Sequence, residues 1–367
     1  MRHNRLANIE CLRCIAMLFI VLNHSILNIA TGRLSLLTNP FNFCIIDLLY
    51  QVVYTGVNIF VLISGYFLIN TTQQNTNWNK ILQLWLTVFF YSISIYIFSL
   101  ILNWEILDIK TLIHYLMPIR YNSYWFITQY IGLFIMAPFF ARWAHFMKKE
   151  EYKAMLLSLF ILTSIIQLHG LKGGFSLIWF IFLFVFAGYI RLYENESITI
   201  SKWSKRPGTI FIMSSLLLFF FSFLINGDTL NIVTYFGFYN GPLLFISSVS
   251  FFLYYKKKTE SKTIKTIAKL SPYMFGVYLI HEHPIIKEHL WTYLNNQIND
   301  VTIYILLLVA FIILILCTFI EFIRQSIFKF LKINDVFNFL LNTSFIFITT
   351  HLKKFNHHVR ITKKENN

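Results

Sequence analysis

The chain has 367 residues and a formal charge of +15, and it is 57% hydrophobic and 19% aromatic with only 13% charged residues. A mean hydropathy of +0.61 is far from the balance of a soluble domain and points to a polytopic membrane protein. The positive charge does not imply a nucleic-acid partner, because the cations fall in short segments between apolar runs. The four cysteines, Cys11, Cys14, Cys44 and Cys317, lie inside or at the edge of such runs. That placement excludes a secreted disulfide framework. Cys11 and Cys14 spell C-x-x-C without the strand and helix context of a redox motif, so they read as small apolar side chains on a buried helix.

In chain order, the apolar runs predict spans over 10–30, 44–69, 81–102, 124–141, 154–170, 176–193, 209–226, 232–254, 267–286 and 302–323. The first is read as a retained span, since no small-residue cleavage site follows it. With the N-terminus inside, the inner segments carry 16 Lys and Arg and the outer ones 5, which sets the orientation. The fold expected is all-α: a membrane helix bundle of about ten spans with both termini cytoplasmic. Residues 1–325 would form the transmembrane domain, and 326–367 an interfacial helix with a basic cytoplasmic tail.

Ionisable side chains within spans are costly and mark cavities or paired sites. The first span holds Glu10, Arg13 and His24 in "IECLRCIAMLFIVLNHS". Arg13 and His24 are eleven residues apart, about 16 Å of helix rise with roughly 20° of offset, so they share one face at two depths. A cation at the inner edge and a deeper titratable base describe a groove that binds an anion at its mouth and transfers a proton further in. Glu321, on the tenth span, falls at the level of Arg13 and Glu10, where ion pairing is the alternative use of all three. Ser64 and Gly65, near the inner end of the second span, are small enough for a ligand or another helix to approach.

The ninth span reads "SPYMFGVYLIHEHPII", with Pro272 and Pro284 bracketing it and bending it around a cavity. His281 is expected at the depth of His24 and on one face with Tyr278 and Val277. His281 and His283 point about 200° apart on a helix, so no metal site is expected from them unless the helix unwinds. Either could face the bundle interior. Trp125, near a span end, reads first as an interfacial anchor.

Together these residues resemble acyltransferase family 3 membrane proteins, in particular the branch that O-acetylates surface polysaccharides. The resemblance runs over about residues 8–325. It rests on Arg13 and His24 in the first span, "FVLISGYFL" at 60–68, "YWFITQYIGLFIMAP" at 124–138, "WFIFLFVFAGYIRLY" at 179–193 and "SPYMFGVYLIHEHP" at 271–284. It implies an O-acetyltransferase of the bacterial inner membrane. An acetyl group would pass from cytoplasmic acetyl-CoA to a hydroxyl of a cell-surface polysaccharide or its lipid-linked precursor. No tightly bound cofactor, metal or nucleic acid is implied. His24 matches the family's catalytic histidine and Arg13 its donor-binding arginine. His281 is assigned to catalysis with His24; Ser64, Gly65 and Lys80 to the donor with Arg13; Glu10, Tyr278, Glu321 and Trp125 to support. Many members carry a pair of arginines after the second span, where "NTTQQNTNWNK" offers only Lys80. Arg142 or Arg191 are further candidates for the donor phosphates. Export or flipping of a surface glycan without acyl transfer is the alternative function.

Overall fold

A computed structural model describes residues 6–30, 40–70, 78–167, 172–194, 196–226, 238–333 and 335–336. Every regular element among them is helical: α1 Ala7–Ser25, α2 Pro40–Val53, α3 Gly56–Leu68, α4 Trp78–Ile101, α5 Ile109–Leu116, α6 Trp125–Phe146, α7 Lys149–Phe160, α8 Leu177–Tyr193, α9 Ile198–Lys205, α10 Pro207–Asn226, α11 Pro242–Lys257, α12 Lys262–Ala268, α13 Met274–His281, α14 Pro284–Gln297 and α15 Ile303–Phe330. Many start where a polar side chain accepts an orphan backbone N–H. Asp108 caps α5, Ser176 α8, Ser197 α9, Ser261 α12 and Thr302 α15. Around Asp108, which lies between apolar helices, the Thr111 N–H and then its hydroxyl hold the carboxyl below the usual range.

Among the described residues, four helices are long and apolar enough to cross a membrane: Ala7–Ala30, Phe41–Leu68, Asn79–Ile101 and Ile303–Phe330. Leu177–Tyr193 and Pro207–Ser222 are apolar but shorter. Two expected spans are built differently from a straight rod. The run 44–69 is α2 and α3 joined through Tyr54 and Thr55. The run 267–286 is α12, a single turn over Ser271–Tyr273, the eight-residue α13 and the start of α14. The boundary expected at 325 falls inside α15, which continues to Phe330. Residues 337–367, and with them most of the expected interfacial helix and tail, lie outside the described residues, as do 232–237 of the eighth run.

α1 is the hub, packed against α3, α11, α12, α13 and α15. A helix touched on so many sides must be apolar around most of its circumference, and α1 buries Ile9, Leu12, Ala16, Met17, Ile20 and Val21. Close crossing needs small residues. A Cβ at Gly56 would lie 2.9 Å from the Ala16 carbonyl on α1, and one at Gly65 would lie 2.5 Å from the Phe184 carbonyl on α8. Beyond His24, α1 widens into a π-turn at Ile26–Ala30, a local form that recurs at functional sites.

Candidate active site

The site is made by one break in the chain. Proline at 284 has no N–H to continue a helix and disfavours helical backbone at the residue before it. His283 accordingly takes φ −60°, ψ 130°, and Glu282, at φ −98°, ψ 5°, occupies the sparsely populated bridge region. α13 therefore ends at His281, and the three polar residues that follow each other here point in different directions.

His281 is fully buried and faces His24, with its Nε2 3.0 Å from His24 Nδ1. Its own Nδ1 lies 2.6 Å from the Val277 carbonyl. A carbonyl only accepts, so His281 carries its proton on Nδ1, and its Nε2 is then an acceptor. His24 must donate from Nδ1, which leaves His24 Nε2 with a free lone pair. The Tyr278 ring stands edge-on to His281 at 6.0 Å, on the face that the sequence spacing predicted. Asn28 Nδ2 donates to the His24 carbonyl at 2.7 Å and Asn295 Nδ2 to the Asn28 carbonyl at 3.0 Å, fixing the π-turn behind the ring.

Glu282, the residue that the site assignment from sequence passed over, completes the group. Its Oε1 is buried 3.1 Å from His24 Nδ1 but off the N–H axis, without a hydrogen bond, while Oε2 meets Lys287 Nζ at 3.1 Å. The carboxylate therefore acts on His24 as a charge rather than as its acceptor. The available signal was the bracketing of Glu282 by two histidines next to a proline. His283 turns away: its Nδ1 accepts the Ile285 N–H at 3.3 Å and its Nε2 donates to the Ser92 carbonyl at 3.3 Å. With both nitrogens engaged, it is a helix cap. The atoms of His24, His281 and Glu282 that could bind a cation lie within 4.8 Å of one another. An ion on His24 Nδ1 would move that ring's proton to Nε2 and abolish its basicity there, so the cluster can be a base or a metal centre but not both.

At the other end of α1, Arg13 pairs with Glu10, which also accepts from Ser271 Oγ at 2.5 Å. The Arg13 side chain keeps 24% exposure. The Ser64 Oγ is 2.8 Å from the hydroxyl of Tyr130, a residue the sequence did not single out. Gly65 is turned to α8 and serves the crossing described above. Lys80 is exposed in the first turn of α4. Glu321 does not join Arg13: it is held by Arg324 at 2.6 and 2.7 Å, by the Tyr91 hydroxyl at 2.5 Å and by Gln325, against Gly276 of α13. Trp125 packs among Phe175, Phe180 and Tyr239. Near the C-terminal end of α3, Arg191 donates to the Tyr66 hydroxyl at 2.7 Å, and Lys256, ion-paired with Glu194, lies 5.5 Å from the Tyr66 ring.

Compared with known families, residues 6–322 match acyltransferase family 3, described as an acyltransferase domain. No curated protein and no solved structure matches.

Proposed function

This chain belongs to acyltransferase family 3, and we propose that it is an O-acetyltransferase of the bacterial inner membrane that moves an acetyl group from cytoplasmic acetyl-CoA to a hydroxyl of a cell-surface polysaccharide or its lipid-linked precursor. The observation that carries the reading is the free Nε2 of His24, set by the chain Val277 carbonyl, His281, His24. In the proposed bundle the remaining apolar helices join the four long ones, with both termini cytoplasmic.

The donor's phosphates would rest at the Arg13 level, with Arg191 and Lys256 on the same rim, since planar guanidinium and ammonium groups suit polyanions. Lys80 is exposed and adds charge at the start of α4. The pantetheine arm then follows α1 for about 16 Å to His24. There the acceptor hydroxyl attacks the thioester carbonyl carbon while its proton passes to His24 Nε2. The tetrahedral intermediate expels the CoA thiolate, which takes that proton back, leaving an O-acetyl ester and CoA thiol. During the step His24 is an imidazolium beside the Glu282 carboxylate, a charge pairing that stabilises the protonated ring. Tyr278 holds the His281 ring from its edge, Ser64 and Tyr130 order the donor level, and Gly65 sets the distance of α3 from α8.

Purified protein in liposomes, given labelled acetyl-CoA and a glycan acceptor, tests the assignment. Label should appear on the glycan. Glycan movement across the bilayer without any label transfer would point to the exporter and overturn the reading.

A further inference from the structure

A cavity lies over α5 and the segment that follows it. It measures about 440 Å³ and is lined by Lys110, Thr111, Ile113, His114, Tyr115 and Tyr121. That volume is within the usual range of small-ligand sites, roughly 300–1,000 Å³. Its walls are aromatic faces with polar tips. The His114 and Tyr121 rings stack at 4.9 Å and 16°, and on neighbouring α14 His289 stacks on Trp104 at 4.4 Å and 21°. Lys110 and Tyr121 are exposed, whereas Tyr115 is buried in the cavity floor.

The floor is joined to the catalytic layer. Tyr115 stacks on His283 at 5.2 Å and 17°, and its carbonyl accepts the Ser92 hydroxyl at 2.7 Å. The Ser92 carbonyl in turn accepts the His283 ring N–H. His283 directly follows Glu282 in the chain, so the ring stacked beneath the cavity floor and the carboxylate beside His24 sit on consecutive residues.

We propose that this cavity is the subsite for the acceptor saccharide, an inference that rests on the acyltransferase reading above. A sugar ring offers C–H faces that pack on aromatic rings and hydroxyls that bond to amine, imidazole and phenol groups. The cavity supplies both, and its floor rests on His283, the residue after Glu282 of the histidine group. A lipid tail has no use for Lys110, His114 and the Tyr121 hydroxyl. The thioester arrives from the opposite level, so donor and acceptor meet at His24 from two sides.

The test is saturation-transfer NMR on the full-length protein in nanodiscs, with methyl glycosides of a hexose, a 6-deoxyhexose and an N-acetylhexosamine as probes. Wild type and Trp143→Ala, an exposed change on α6, should saturate at least one glycoside; His114→Ala and Tyr121→Ala should each weaken that signal about ten-fold, the loss of one good ring contact. Equal signals in all four proteins, no signal for any glycoside in wild type, or displacement of the glycoside by acetyl-CoA would each overturn the subsite. Glycoside binding at this cavity with no acetyl transfer by wild type would instead leave the subsite standing and remove the acyltransferase reading.

Discussion

His24 owes its free nitrogen to a carbonyl two residues removed in the hydrogen-bond chain. Val277 fixes the proton of His281, His281 fixes the proton of His24, and Nε2 keeps its lone pair. Glu282 cannot replace either partner, because it meets His24 off axis, but it should matter once the ring is charged. Glu282→Gln is expected to lower kcat about ten- to hundred-fold with the KM for acetyl-CoA little changed, and Glu282→Asp should recover part of it. A purely structural carboxylate would show its loss in thermal stability instead. The metal alternative makes a different demand: exhaustive dialysis against a chelator should leave transfer intact, and a loss restored by zinc would reassign the cluster. Arg13, tied to Glu10, is expected to serve the donor. Arg13→Ala should raise the KM for acetyl-CoA with smaller effect on kcat, and Arg13→Lys should keep part of the binding.

At the scale of elements, Pro284 and the helix starts carry the arrangement. Pro284→Ala removes the reason for α13 to stop at His281, so α13 and α14 should tend to fuse and carry Glu282 away from His24. The expected result is a fall in kcat at near-normal thermal stability. Gly65→Leu places a side chain against the Phe184 carbonyl, and should cost about 1–3 kcal/mol in unfolding measurements. The cap of α5 gives a pH dependence. The Asp108 carboxyl is held below its unfolded value of about 3.9, so its contribution is full above that value and is lost as pH falls through the folded one. Amide exchange at Thr111 and Leu112 should accelerate on acidification below about pH 4, and Asp108→Asn should remove most of that dependence.

These elements also explain what could be read from residues alone. The eleven-residue step from Arg13 to His24 is a property of one continuous helix, so periodicity carried it. Counting depth along two runs puts His24 and His281 at one level, and the structure sets their ring nitrogens 3.0 Å apart although the second run is broken, because the break falls after His281. Glu282 escaped for the same reason: its direction depends on non-helical backbone imposed by Pro284, which no helical wheel represents. Glu321 was placed at the depth of Arg13, but depth does not give azimuth, and Arg324 one turn away on the same helix is the nearer partner. The Ser64 and Tyr130 contact joins helices 66 residues apart in sequence, a relation that only packing reveals.

At the scale of the whole molecule, α1 joins two levels, a cationic end at Arg13 and a histidine layer near its other end, and the family match spans both. The proposed function rests on His24 Nε2 as the base for acyl transfer. The most direct measurement is the initial rate of acetyl transfer to glycan by reconstituted wild type and His24→Ala at saturating acetyl-CoA, with acetyl-CoA binding checked for both. If His24 is the base, the variant should retain binding and transfer acetyl about 10²–10⁴-fold more slowly. Transfer by His24→Ala at the wild-type rate would contradict it.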